Sequence, residues 1–236
     1  MAIERVVVVV PAHNEADDLP RCLSAVATAA ARLSVPVLAV LVLDACDDES
    51  ALVARRFGGV HVLEVERRNV GAARAAGFEY ARSLWAESVC DESRVWYATT
   101  DADSRVDADW LVRQTGSGAD VVLGVVRVGN WRHYPAAVVR RYLAAYRSKS
   151  RPDGTGHGHV HGANMGLRAD VYWTVGGFAA MRSREDVDLV ERCEEIGSWI
   201  DRDSRLSVET SARPMGKAPR GFAAYLRSMS AREDIA

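Results

Sequence analysis

Acidic and amide side chains gather at three points where short β-branched runs end. Asp101-Ala102-Asp103 closes the run 95–100, Asp44 closes the run 38–43, and Pro11-Ala12-His13-Asn14-Glu15 follows five consecutive valines at 6–10. Residues two apart in extended backbone point the same way, so Asp101 and Asp103 are expected to face one site. Paired carboxylates suit Mg²⁺ or Mn²⁺, hard cations that take oxygen ligands and need few from the protein when a diphosphate supplies others. In an open sheet with crossover helices, ligands bind beyond the carboxyl ends of the strands. The three segments are therefore expected to form one polar pocket suited to a nucleotide diphosphate. Taken alone, the acidic triplet reads at least as well as an Asp-rich turn.

The elements that must position these groups alternate. Strands are expected at 6–10, 37–43, 60–65 and 94–100, with helices at 16–33, 49–57 and 71–85 between them. This βαβαβαβ opening predicts an α/β fold whose mostly parallel central sheet is covered by helices on both faces. The second half is less regular. Helices are expected at 109–115, 135–149 and 185–196, strands at 119–128 and 164–168, and a flexible Gly- and His-rich loop at 151–162.

Composition narrows the class. The chain has 236 residues, 48% hydrophobic and 26% charged, with a formal net charge of −2. That describes one globular domain with no global basic field, so nucleic-acid binding is disfavoured. Cys22, Cys46, Cys90 and Cys193 show no CxxC spacing, which points to a reducing, cytoplasmic setting. No run is long enough for a transmembrane segment, and no signal peptide is visible.

Two further residues could carry chemistry. Arg74 lies in the first turns of a helix among Gly71, Ala72, Ala73, Ala75 and Ala76. A cation there is mildly unfavourable unless an anion is near, whereas small neighbours alone could simply serve tight packing. Asp186 falls on one helical stripe with Leu189, Val190, Cys193 and Ile196, and is expected to extend the inward face, with Glu185 and Asp188 to its sides. Burial would raise its pKa and the helix dipole lower it, leaving it ionised yet basic; Ser183-x-x-Asp186 also reads as a capping box. His157, His159 and His161 alternate along the glycine-rich loop, which favours a substrate loop over a transition-metal cluster. Trp131, His133 and Tyr134 read either as acceptor-side groups or as an aromatic patch under a helix.

Together the segments resemble the family 2 glycosyltransferases of the GT-A fold. The resemblance is carried, in order, by Pro11-Ala-His-Asn14-Glu15, Asp44 with Asp48, Asn69-Val-Gly71-Ala-Ala-Arg74-Ala-Ala-Gly77 and Asp101-Ala-Asp103. It continues through Gly162-Ala-Asn164, Gly176-Gly-Phe178 and Glu185-Asp186, over roughly residues 3 to 200. It implies a sugar-nucleotide donor, UDP- or GDP-linked, and a hydroxyl acceptor. Pro11, Ala12, His13, Asn14 and Glu15 would bed the base and ribose, and Asp44 would bind the base. Arg74 would meet the nucleotide or diphosphate. Asp103 and Asp101, flanking Ala102, would hold Mg²⁺ or Mn²⁺, and Asp186 would be the general base of an inverting transfer. The implied layout is a single domain with a nucleotide-binding half at 1–115, an acceptor half at 116–210 and a basic tail at 211–236; a homodimer is compatible with it. Two features depart from the family pattern. Its Asp-Gly-Ser is Asp44-Ala45-Cys46 here, and no histidine follows His161 to complete a metal site. The alternatives are a retaining GT-A enzyme acting on a small phosphorylated acid and a non-catalytic sugar-nucleotide-binding protein. A dinucleotide-binding dehydrogenase is disfavoured because the first strand leads into no GxGxxG.

Overall fold

A computed structural model describes residues 2–85, 91–149, 156–181, 183–211 and 213. Its centre is an eight-stranded sheet in the order β3-β2-β1-β4-β7-β6-β8-β5. The strands are β1 (Arg5–Ala12), β2 (Val37–Asp44), β3 (Val60–Val65), β4 (Val95–Thr99), β5 (Ser104–Val106), β6 (Val121–Val128), β7 (Met165–Arg168) and β8 (Ile200–Thr210). The four strands of the first half pair in parallel, and β6 pairs in parallel with β8; β7 runs antiparallel to both β4 and β6, and β5 antiparallel to β8.

The valine run explains why helices cover both faces. Successive side chains of a strand point to opposite faces. Val6, Val8 and Val10 pack with Leu19, Leu23 and Val26 of α1 (Leu19–Ala30) and with Trp110 and Leu111 of α4 (Trp110–Gly116). Val7 and Val9 pack on the other face with Phe78 of α3 (Val70–Leu84), Tyr172 of α6 (Ala169–Thr174) and Leu189 of α7 (Glu185–Glu195). A short helix α2 (Ser50–Ala54) follows β2, and α5 (Ala136–Arg147) carries a separate aromatic cluster around Tyr142.

Three features differ from the expectation. Both β5 and β8 are additional strands. β8 carries Asp201, Arg202, Asp203, Arg205 and Glu209 and buries only Leu206 and Val208, so hydropathy does not mark it. Its charges are matched by neighbouring side chains instead: Arg113 of α4 pairs with Asp203, Arg127 of β6 with Glu209, and Ser117, the cap of α4, donates to Asp201. The histidine loop is packed where described. His157 and His159 are buried, their Nε2–H groups donating to the carbonyls of Leu123 and Tyr146, and the His159 ring stacks 3.8 Å from that of Tyr146. Residues 151–155 of that loop, like most of the basic tail, lie outside the described residues. Finally, the chain leaves extended geometry after Thr99, and Ala102 and Asp103 form a turn closed by the Ser104 N–H on the Asp101 carbonyl at 3.0 Å. No helix among the described residues is long and apolar enough to cross a membrane.

Candidate active site

The ends of β1 and β2 are laced together by polar groups from both loops. Asn14, at φ 57°, accepts at Oδ1 from the amides of Asp47 and Asp48. The His13 Nδ1–H donates to the Asp44 carbonyl at 2.7 Å. Glu15 N–H donates to Ser50 Oγ, and Ala16 N–H to Asp48. Ala45 holds φ 53°, so the backbone keeps a left-handed turn although the side chain is not glycine. Pro11 and Ala12 are the last residues of β1 and are buried.

Asp44 does more than end a strand. Its Oδ1 accepts from the amides of Arg67 at 2.6 Å and Arg68 at 2.7 Å, and its Oδ2 from Asn69 at 2.8 Å. A carboxylate gripped by consecutive amides immediately before a helix is held by charge-assisted bonds and by the helix dipole. Asn69 then caps α3 by accepting from the Ala72 amide. One lone pair of Oδ2 is left for a further donor by this count.

Arg74 lies deeper than expected. It is 2% exposed, and its donors are directed at protein groups: Nε to Thr99 Oγ1 at 3.2 Å, one terminal nitrogen to Glu185 at 2.6 Å and the other to Asp101 at 2.6 Å. The small residues of α3 make this possible. Gly71 abuts the Ala179 carbonyl and the Glu185 side chain, and Gly77 abuts Val9 and Val42. The guanidinium also lies over the Phe178 ring, 5.4 Å from its centroid, and presses on Gly162. Arg74 thus joins Asp101 to the first turn of α7 rather than opening onto the pocket.

At α7 the burial is the reverse of the sequence expectation. Glu185 is the buried acid, drawn in by Arg74, and Asp186 is half-buried. Arg184, the residue before the helix, turns the chain into it at φ 67°. Asp186 accepts the Gly162 amide at Oδ2 and the Val187 amide at Oδ1, both at 2.8 Å. Ser183 makes no side-chain cap of this helix, whose cap residue is Arg184. Asn164, in the same segment as Gly162, is fully buried and braces the fold: it accepts from Trp110 Nε1 and donates to the carbonyls of Val125 and Leu206.

Asp103 stands at the open edge. Ser104 Oγ and Thr210 Oγ1 donate to its Oδ1 at 3.2 and 3.3 Å, which turns Oδ2 toward the Arg213 guanidinium at 3.4 Å. Burial, then the neighbouring Asp101 charge, push the Asp103 carboxyl up to about 7, with Arg213 pulling the other way. Arg213 itself grips Glu15 with two bonds of 2.5 Å and lies 3.7 Å from Asp18. A cavity of about 400 Å³ opens beside Asp103, lined by Arg105, Asn130, Arg132, His133 and Thr210 among others.

Among the described residues no three His, Cys, Asp or Glu side chains are grouped to hold a metal ion. The all-oxygen pair Asp101 and Asp103 nevertheless fits a hard cation that brings diphosphate oxygens with it. A protein cation already stands against Asp103 Oδ2, and the carboxylates around it repel one another. Asp18, Ser104 and Thr210 escaped the sequence reading, and Arg213 entered it only as one residue of the basic tail. Thr210 ends a strand whose polar residues give no hydrophobic period.

Comparison with known proteins agrees with this architecture. The chain is similar to a mannosyltransferase from Pyrobaculum calidifontis, solved with GDP-Man and Mn²⁺, at 17% identity and a TM-score of 0.68 over 100% of this chain and 66% of that one. It is similar to residues 1–349 of S. aureus TarS with UDP-GlcNAc at 13% identity and a TM-score of 0.60, over 96% of this chain and 66% of that one. Against the longer S. aureus TarS chain the coverage is 97% and 42%, with a TM-score of 0.63. The chain therefore spans less than two thirds of the length of these structures, and at such identities the likeness is one of GT-A fold. No curated protein sequence matches the chain. The profile of glycosyl transferase family 2 matches residues 7–176, from the valine strand to the Gly176 turn, taking in Asn14, Asp44, Arg74 and both aspartates of the triplet. With most of its length inside that match and the fold in agreement, the chain belongs to glycosyl transferase family 2.

Proposed function

We propose that the protein transfers a sugar from a nucleotide-diphosphate donor, UDP- or GDP-linked, to an acceptor hydroxyl with inversion. The observation that carries this reading is the arrangement at Asp103: one carboxylate oxygen pinned by Ser104 and Thr210, the other turned toward a cation at the carboxyl edge of the sheet. Pro11, Ala12, His13 and Asn14 form the floor for the base, Glu15 accepts from the ribose hydroxyls, and Asp44 offers its remaining lone pair to the base. Asp103, supported by Asp101, would hold Mg²⁺ or Mn²⁺. Such a cation, when bound, would stabilise the charge that develops on the departing diphosphate.

Asp186 takes the acceptor proton. Two backbone amides orient its carboxylate, and the Arg74 bonds to Glu185 and Asp101 keep the base and the acidic triplet in one frame. In this reading Arg74 is a positioning residue. The cavity toward Asn130 and His133 admits a polar acceptor from the second half of the chain, and a soluble cytoplasmic setting is part of the proposal.

Thermal-shift and calorimetric titration with UDP, GDP and their sugars, with and without Mn²⁺, tests the reading. Asp103→Asn is expected to weaken Mn²⁺-dependent nucleotide binding while leaving the fold intact. Unchanged nucleotide affinity and unchanged metal dependence in that variant would refute the assignment. The anomeric configuration of the product, read by NMR, distinguishes inversion from retention.

A further inference from the structure

The Arg213 guanidinium stands where the proposed donor would need its carboxylates. It makes a bidentate pair with Glu15, the proposed ribose acceptor, at 2.5 Å for both bonds. It approaches Asp103 Oδ2, the free edge of the proposed metal ligand, at 3.4 Å, and Asp18 at 3.7 Å. The other oxygen of Asp103 is already engaged by Ser104 and Thr210. A cation entering at Asp103 therefore meets a positive charge on the only edge left to it, and a ribose hydroxyl approaching Glu15 meets an acceptor with both oxygens engaged.

The placement is not a packing necessity. The Arg213 side chain remains 26% exposed, and it reaches Glu15 from 198 residues further along the sequence. The backbone at Arg213 has its own anchor, since its carbonyl accepts from Tyr134 Oη at 3.5 Å, a bond that side-chain truncation leaves in place. Four carboxylates, Glu15, Asp18, Asp101 and Asp103, face this region from β1, α1 and the end of β4. Arg74 answers Asp101, and Arg213 is the cation in contact with the other three.

We infer that Arg213 is the resident cation of the donor site, exchanged for the metal and the ribose when the donor binds. This rests on the reading of Asp103 as the metal ligand and of Glu15 as the ribose acceptor. Arg213 then sets the metal concentration at which the site fills. Its planar fork matches the Glu15 carboxylate in a way that a lysine ammonium cannot reproduce.

The test is the binding of Mn²⁺ alone, followed by electron paramagnetic resonance, to the full chain and to Arg213→Ala, Arg213→Lys, Asp103→Asn and Arg213→Ala/Asp103→Asn. Arg213→Ala is expected to tighten Mn²⁺ binding about tenfold, the scale of one part-exposed bidentate pair, with Arg213→Lys between it and the parent. Asp103→Asn should abolish the gain in the double variant. Equal or weaker Mn²⁺ binding by Arg213→Ala, while Asp103→Asn still loses the ion, would overturn the exchange and leave the metal assignment standing. If Asp103→Asn binds Mn²⁺ as well as the parent, the metal assignment falls and the exchange falls with it. Circular dichroism of each variant confirms that the comparison is made between folded proteins.

Discussion

The two sides of the site are built on opposite principles. At the ends of β1 and β2, Asn14, Asp44, Asp48 and Ser50 are satisfied by backbone amides or by one another. Where the end of β4 meets the start of α1, the carboxylates of Asp103 and Glu15 instead share the guanidinium of Arg213, a side chain from beyond β8. The first region is fixed by the chain's own hydrogen bonds, so in the proposed function it would orient a base at little entropic cost. In the proposed exchange the second region holds a charge that it can release. The proposed donor, with an aromatic base at one end and a charged diphosphate at the other, calls for this division.

The sharpest way to break the comparison is Asp44→Ala. It removes three charge-assisted bonds from the amides of Arg67, Arg68 and Asn69, which water can partly re-satisfy because those residues are exposed or half-buried. A loss of about 3 kcal/mol is expected in urea denaturation, below the sum of three bonds to a charged group at about 1.5–3 kcal/mol each. Retention of parental stability would show that this side is not locked.

Asp186→Asn sharpens it from the chemical side. The amide oxygen can still accept from Gly162 or Val187, so the melting temperature should hardly move. Transfer to the true acceptor should fall about 10²-fold or more, the usual contribution of a general base, with donor binding unaltered in calorimetry. Normal turnover with a lower melting temperature would assign Asp186 to helix capping alone.

The histidine stack belongs with the locked kind, and pH tests it. Burial, then repulsion from His161 and His157, lowers His159 to about 4, and burial lowers His161 to about 4 as well. Both values lie below the unfolded value of about 6.5, so between these pH values the unfolded chain binds more protons. Stability is then fully present above pH about 6.5 and is lost as pH falls toward about 4. At about 1.4 kcal/mol per pKa unit, discounted for the coupling among the rings, a loss of about 2 kcal/mol is expected. His159→Phe keeps the stack on Tyr146 and should flatten the chemical-denaturation profile over that window.

The smallest effect is at Ala45. Its φ of 53° favours glycine. Ala45→Gly should stabilise by about 0.5 kcal/mol, the left-handed penalty less the entropy of glycine. A destabilisation would mean that the Ala45 methyl makes contacts that outweigh the turn.

Much of the fold was legible because its first half obeys simple periods. Val6–Val10 has the β-branched character of a strand buried on both faces, and the helix expected at 71–85 is found at Val70–Leu84, although its Asn69 cap was not read. The acidic residues were legible as types and positions but not as partners. Arg74 lay near an acidic motif in space through Glu185, 111 residues away, which no local pattern encodes. Asp101 and Asp103 were expected side by side on a strand, but the Ser104 turn sends them to different cations. β8 was invisible because its polar residues are matched by Arg113 and Ser117 of α4 and its cap and by Arg127 of β6, with no hydrophobic period to mark the strand.

The pairing of β5 with β8 alone has a consequence for biosynthesis. β1 to β4 and the helices between them are complete once residue 99 has emerged, and their contacts are largely sequential. The three residues of β5 that follow Asp103 have no strand to join until residues 208–210 are made. A nascent chain therefore carries a finished β1–β3 base, while the Asp103 turn waits for a partner more than a hundred residues downstream. Pairing over such separation is the slow part of folding. If the proposed donor site is right, the part that would cradle a base is complete on the ribosome well before the part that would hold the diphosphate, and an interrupted chain would then bind nucleotide without being able to use it.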